Sequence, residues 1–320
     1  MQNATITVFG GSGFIGQQVV KRLAHKGAAI RIPTRNPNRA GHLRPLGDVG
    51  QIVPVAFDAR DPAAVGAALE NATHAVNLVG ILHESRDGDL HESRDGDFDR
   101  VHGDLAGQIA AAAKKAGASA FVQLSAIGAD SGSSSAYARS KAKGEEAVRN
   151  AFAGASILRP SVVFGPGDGF FHRFAEMAAL SPFLPLVDGG KTRFQPVYVG
   201  DVADAIVACL ETPREGVFEL GGPEVKSFRE LLRYMCDRLG RKNRLLSVPS
   251  GLLEFPARLM EFLPDPPITR DQLELLKYDN VVGDSARTLE DLGIRPTPMD
   301  IVVPNVIRAF ARRRIELPAA

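Results

Sequence analysis

The sequence predicts an α/β fold in which helices cover both faces of one parallel sheet, followed by a smaller, mostly helical C-terminal lobe. Three observations predict it. Short β-branched or apolar runs alternate with longer helical patterns through the first half of the 320 residues, and near-continuous apolar strands belong to a sheet buried on both sides. A glycine-rich turn, Gly10 to Gly16, joins the first such run to the first helical pattern. Beyond Pro160 the rhythm changes, with proline and glycine clustered at 160–169, 181–190 and 249–267 and short helical patterns between them.

The elements follow in order. Thr5–Phe9 reads as a strand, and 15–24 as a helix with Val19, Val20 and Leu23 along one side. Further strands are expected at 28–33, 51–57, 75–79, 121–124 and 156–158, with helices at about 62–70, 100–116 and 136–152. The stretch 104–117 is rich in alanine, a strong helix former that permits close packing on a sheet. No composition break marks a flexible linker, so one body with a cleft is expected. Residues 1–165, with 194–222 returning to them, form the sheet domain; 166–193 and 223–320 form the smaller substrate or partner lobe.

Composition narrows the function classes. Hydrophobic residues at 44% and charged residues at 23% exclude disorder, collagen and a disulfide scaffold. Thirty-eight basic against thirty-seven acidic side chains leave a formal charge of +1, which argues against nucleic acid as a partner. Cys209 and Cys236 lack a CxxC arrangement and read as buried thiols of a reducing compartment. The N-terminus lacks the pattern of a secretory signal, and no apolar run reaches the ~18 residues of a membrane span, so a soluble cytoplasmic protein is expected. Residues 83–90 and 91–98 are a tandem repeat, HESRDGDL then HESRDGDF. A duplicated surface loop explains it, because lengthening a loop costs little closure entropy. Its DGD spacing does not fit a calcium loop, and no metal is expected.

Gly10, Gly13 and Gly16 stand at G-x-x-G-x-x-G spacing directly between strand and helix. Such a turn bends sharply, brings backbone N–H groups close to a diphosphate and lets the helix pack tightly on the strand. The diphosphate then rests on the helix N-terminus, where Phe14 and Ile15 begin the first turn. A Rossmann-type dinucleotide site is the reading. At the end of the second strand, where a carboxylate would hold the ribose of NAD, the sequence has Thr34-Arg35-Asn36 and no acid. Arg35 can pair with a 2′-phosphate, although a solvated surface arginine is the alternative. NADP(H) is favoured over NAD(H). Asp58, ending the third strand, either meets the adenine amino group or caps the helix beginning near Pro62.

Tyr137 and Lys141 form a YxxxK spacing inside a predicted helix, which places both on one face. A lysine there lowers the tyrosine pKa and binds nicotinamide-ribose hydroxyls, and the tyrosine serves as general acid or base.

These features together resemble the short-chain dehydrogenase/reductase superfamily in its extended and atypical branch, over nearly the whole chain. The segments ILRPSVVFGPGDGFFHRF, KTRFQPVYVGDVADAI, ITRDQLELLKYDNVV and TLEDLGIRPTPM are similar to the NADPH-binding accessory subunits of respiratory complex I and their bacterial relatives. The resemblance implies nicotinamide contacts from Pro160 and Val163, and further cofactor contacts from Val79, Gly80, Ser125, Tyr137 and Lys141. It also implies a partner in a respiratory complex or at the surface of the inner membrane.

One departure bears on catalysis. Active relatives carry a second serine or threonine after the fifth strand, and here Ser125 is followed by Ala126. Alanine cannot donate to a developing oxyanion, a loss of ~10²–10³ in rate. Ser125, or a serine from 131–135, is the candidate substitute. The expectation is a cofactor held mainly for structural or redox-sensing use, with weak or restricted catalysis. Two alternatives stay open. One is an active NADP-dependent reductase, epimerase or dehydratase on a sugar-nucleotide or isoprenoid/quinone-like substrate; the other is a non-enzymatic assembly protein. In the lobe, 251–263 reads as amphipathic core or as an exposed apolar contact, and Arg308, Arg312, Arg313 and Arg314 add basic charge near the C-terminus. Asp168, His172, Arg173, Lys191, Arg193 and Gln195 are placed at the cleft border, without a catalytic role.

Overall fold

The computed structural model describes residues 1–82, 97–252 and 269–311. Alternation of strand and helix runs β1 (Thr5–Phe9), α1 (Phe14–His25), β2 (Ala29–Thr34), β3 (Ile52–Ala56), α2 (Pro62–Ala68), β4 (His74–Asn77), α3 (Leu105–Lys115), β5 (Ala120–Leu124), α4 (Ala136–Ala151) and β6 (Ser156–Pro160). After β7 (Val163–Phe164) come α5 (Phe171–Leu180), β8 (Phe183–Val187), β9 (Arg193–Phe194), β10 (Val197–Tyr198), α6 (Val199–Glu211) and β11 (Gly216–Leu220). The chain ends with β12 (Lys226–Ser227), α7 (Phe228–Arg238), β13 (Arg244–Val248), α8 (Arg270–Leu275) and α9 (Met299–Val306).

Seven strands form one sheet in the order β11-β6-β5-β4-β1-β2-β3, and every neighbouring pair is parallel. Both faces are covered. Val19, Val20 and Leu23 of α1 and Val202 and Ile206 of α6 pack on one side, and Leu105, Ile109 and Ala113 of α3 with Phe121 and Val148 fill the other. The lobe has its own core of Phe164, Phe171, Leu184, Leu231 and Met235. It carries two small strand pairs, β8 with β13 and β9 with β12, beside its helices.

Local chemistry explains the boundaries that differ from expectation. β4 stops at Asn77 because the Asn77 side chain accepts from the Val79 N–H at 3.1 Å and turns the chain. The helix expected at 100–116 opens instead as a π-helical stretch, Asp99–Asp104, before α3. This wide turn is where α4 comes closest: a Cβ on Gly144 would lie 2.0 Å from the His102 carbonyl oxygen. Assigning all of 223–320 to the lobe is too simple. Leu289 and Leu292 pack into the sheet-side core, whereas Met299 and Val303 belong to the lobe core.

Most of the tandem repeat at 83–98, the amphipathic stretch beyond Leu252 and Arg312, Arg313 and Arg314 lie outside the described residues. Among the described residues no helix is long and apolar enough to cross a membrane, and no group of three His, Cys, Asp or Glu side chains is placed to hold a metal.

Candidate functional site

The site begins where β1 meets α1. Gly10 takes φ +76°, and a Cβ there would press within 3.0 Å of the Leu78 backbone. A Cβ on Gly16 would lie 2.3 Å from the Gly10 oxygen, so only glycine lets α1 seat directly on the turn. The Gly13 N–H closes the loop onto the Gly10 carbonyl at 3.0 Å. Gly13 brings no side-chain cap, and the first turn of α1, opening with Phe14 and Ile15, holds no acid. Its leading N–H groups therefore lack intrahelical partners and face the turn with the positive end of the helix dipole. That arrangement fits a diphosphate.

The adenosine end is set by strand register. Thr34 of β2 pairs with Ala56 of β3, so Arg35 and Asp58 follow on adjacent strand ends at the carboxyl edge of the sheet. Arg35 is exposed. The Asp58 carboxylate holds the Arg60 guanidinium by two 3.0 Å bonds, which lowers its pKa. Asp58 does not cap α2, because Asp61 accepts from the Ala63 N–H at 2.9 Å.

Tyr137 and Lys141 lie one turn apart on α4, with the Lys141 Nζ 5.6 Å from the centre of the Tyr137 ring. Gly80 borders the pair: a Cβ on it would sit 3.3 Å from the Lys141 ammonium and 3.4 Å from His102 Nε2. Lys141 is buried. Desolvation brings its pKa down to about 8, opposed by the charge of Glu145. The Tyr137 phenol moves the other way from the sequence-based expectation. Burial pushes it up to about 12, and the Asp271 carboxylate adds to the rise. Its surroundings disfavour the phenolate, so the group keeps its proton at neutral pH.

His102 was not singled out by the sequence. It is buried between Phe98, stacked at 5.5 Å, and Tyr137, edge-on at 5.4 Å. Its Nε2 accepts from the Ile81 N–H at 3.0 Å. Ser140 donates to the Tyr137 carbonyl, so its oxygen is left to accept from His102 Nδ1 at 2.9 Å. Both bonds suit a neutral ring. Desolvation, helped by the Lys141 charge, holds the imidazole down to about 2.

Ser125 is buried and donates to Glu145 Oε1 at 2.6 Å. Glu145 is itself gripped by Arg159 through two 2.7 Å bonds. The hydroxyl proton is thus directed into an ion-pair network, and Ala126 offers no donor in its place. Ser134 and Ser135 are engaged as well, donating to Glu274 at 2.6 Å and Asp271 at 2.9 Å. Pro160 ends β6, its carbonyl accepting from the Ile127 N–H at 3.0 Å. Val163 opens β7 opposite Val197. Val79, its N–H on Asn77, leads into Gly80.

The lobe closes over the start of α4. Asp271 accepts from the Ala136 N–H at 2.7 Å and the Tyr137 N–H at 3.3 Å, so a carboxylate from α8 satisfies the orphan amides of the tyrosine-bearing helix. Other residues placed at the cleft border are structural. Asp168 accepts from the N–H groups of Gly165 and Phe171 at 3.0 and 2.6 Å. Arg193 pairs with Asp279 at 2.7 Å. Gln195 bridges Gly222 and Val282 at 2.8 and 3.0 Å, and His172 meets the Phe310 ring at 4.8 Å. Arg173 is half-buried and Lys191 exposed, and neither is brought to the Tyr137 pair by a described contact.

The sequence of NADH dehydrogenase [ubiquinone] 1 alpha subcomplex subunit 9, mitochondrial, from Arabidopsis thaliana is 36% identical over 304 residues, spanning 91% of this chain and 74% of that protein. A ceramide reductase of Caulobacter vibrioides is 31% identical over 252 residues, 78% of this chain and 75% of that one. Among solved structures, dTDP-glucose 4,6-dehydratase from Streptomyces venezuelae with NAD and TYD bound superposes with a TM-score of 0.73 at 22% identity, covering 97% of this chain and 98% of the other, a likeness of fold. The model of the NAD dependent epimerase/dehydratase family matches residues 6–221, the stretch from β1 to the end of β11 that carries the glycine turn and the Tyr137–Lys141 pair. This chain belongs to that family.

Proposed function

We propose that the protein holds NADP(H) as a resident ligand at the surface of a respiratory membrane assembly and turns substrate over weakly or not at all. The observation that carries this reading is the split state of the site: the glycine cradle and the Tyr137–Lys141 pair are intact, while Ala126 has no hydroxyl and Ser125 gives its proton to Glu145 rather than to a substrate carbonyl. When bound, the dinucleotide supplies hydride chemistry. The chain's own residues seat its diphosphate on the first turn of α1, offer Lys141 to ribose hydroxyls and keep the Tyr137 proton in place. Arg35 and the absence of an acid after β2 support NADP(H) over NAD(H). The kinship with a subunit of NADH dehydrogenase [ubiquinone] supports the respiratory-complex partner; the place proposed for the protein is cytoplasmic, peripheral to the inner membrane.

The test joins binding to turnover. Calorimetry should detect NADPH binding with NADH weaker, and Arg35→Ala should cut NADPH affinity ~10–100-fold while leaving NADH nearly unchanged. Ala126→Ser should raise any measurable reductase rate by ~10-fold or more. Absence of heat for every pyridine nucleotide would end this reading.

A second reading, an active NADP-dependent reductase on a lipid-like substrate, is favoured by the ceramide reductase relative. It requires fast turnover by the wild-type chain that Tyr137→Phe abolishes while NADPH binding persists.

A further inference from the structure

A groove of about 520 Å³ runs between α7 and β13, on the lobe rather than at the dinucleotide turn. Arg229 and Arg233 face it from α7, one turn apart, and Arg241, Lys242 and Arg244 face it from the connecting loop and β13. Asp237 is the single acid in its lining. Arg229 is tied to the Gly189 carbonyl at 2.9 Å and Arg241 more loosely to the Phe310 carbonyl at 3.3 Å. Arg233, Lys242 and Arg244 are exposed and make no ion pair among the described residues. Five cations around one carboxylate make a local field that the chain's near-zero net charge conceals.

The rim of this groove is apolar. Phe183 pairs with Arg244 and Pro185 with Leu246 in the β8–β13 register, which puts Phe183 and Leu246 on the same outer face as the Arg244 charge. Phe183 is 46% exposed, Leu246 47% and Leu180 82%. Asn243 Nδ2 bonds the carbonyls of Ala178 and Ser181 at 3.0 and 2.6 Å, fixing the end of α5, with Leu180, against the basic loop. Exposed large apolar side chains set beside an excess of cations match the two layers of an anionic bilayer surface, phosphate outside and acyl chain beneath.

We infer that this face docks on an anionic lipid bilayer, the groove taking a lipid phosphate while Phe183, Leu246 and Leu180 enter the interface. Partition onto such a surface gains about a factor of five per basic side chain and weakens with salt. The inference does not depend on the dinucleotide reading, because no residue of the groove belongs to that site.

Flotation of the full chain with vesicles of phosphatidylcholine containing roughly a third phosphatidylglycerol should recover it with the vesicles. Pure phosphatidylcholine should not. Arg233→Gln, Lys242→Gln and Arg244→Gln together should lower the partition coefficient roughly a hundredfold while leaving NADPH binding and thermal stability unchanged, which shows the variant folded. Phe183→Ser with Leu246→Ser should also release the protein from vesicles but leave binding of inorganic phosphate untouched. Unchanged partition of the triple variant, equal binding to neutral vesicles, or phosphate binding with no vesicle binding would each overturn the assignment.

Discussion

Gly16 shows how much one missing methyl group decides. Its absent Cβ would stand 2.3 Å from the Gly10 oxygen, so Gly16→Ala must lift α1 off the turn. Dinucleotide affinity should fall at least ~100-fold by calorimetry, with a stability loss of ~1–3 kcal/mol in urea unfolding. His102 decides something different, the acid limb of stability. Its folded pKa is near 2, far below the ordinary 6.5. A depressed folded value means the unfolded chain takes up a proton that the native one refuses. The stabilisation is complete above pH 6.5 and is lost as pH falls from there toward 2, with a slope of up to ~1.4 kcal/mol per pH step from this group. Urea midpoints measured from pH 7.5 to 4.5 should decline more steeply for the wild-type chain than for His102→Asn. Parallel curves would contradict this role. The glycine spacing and YxxxK are visible in one dimension, but His102 is not. A lone histidine in a helical run carries no signal, and only the close approach of α4 to the π-helical turn buries it.

At the level of elements, α4 illustrates a cap supplied from a distance. Ser135 accepts from the Ala138 N–H at 3.2 Å, as an Ser-x-x start suggests, but the remaining amides belong to Asp271, 134 positions from Tyr137. Asp271→Ala should cost ~1–2 kcal/mol in thermal or urea unfolding. Asp271→Asn should in addition bring the Tyr137 phenol down from about 12, because the charge opposing the phenolate is gone. Ultraviolet difference titration against Tyr137→Phe reads this directly. The strands and most helices of the sheet domain were legible because burial on both faces writes continuous apolar runs. The ends were less so: Asn77 stops β4 through a side-chain bond, and Asp61 rather than Asp58 caps α2. Such choices turn on distances of a few tenths of an ångström.

For the molecule as a whole, the C-terminal segment straps the two halves together. Asp271 caps α4, and the Asn280 side chain accepts from Ser161 at 2.6 Å. Leu289 enters the sheet-side core and Val303 the lobe core. Both halves share one stretch of chain, so they should unfold in a single transition with equal calorimetric and van't Hoff enthalpies. Leu289→Ala should lower stability by ~2–5 kcal/mol for both halves at once; two resolved transitions would show that the strap does not couple them. The amino-acid order alone determined the parallel α/β architecture, the glycine cradle and the pairing of Tyr137 with Lys141, because each is written in spacings of one to four residues or in the period of a strand. Only the folded arrangement decided that Ser125 answers to Glu145, that Asp271 governs the tyrosine helix and that five cations gather on one lobe face. Those outcomes depend on which side chains lose their water together, and that is fixed by contacts between residues far apart in the chain.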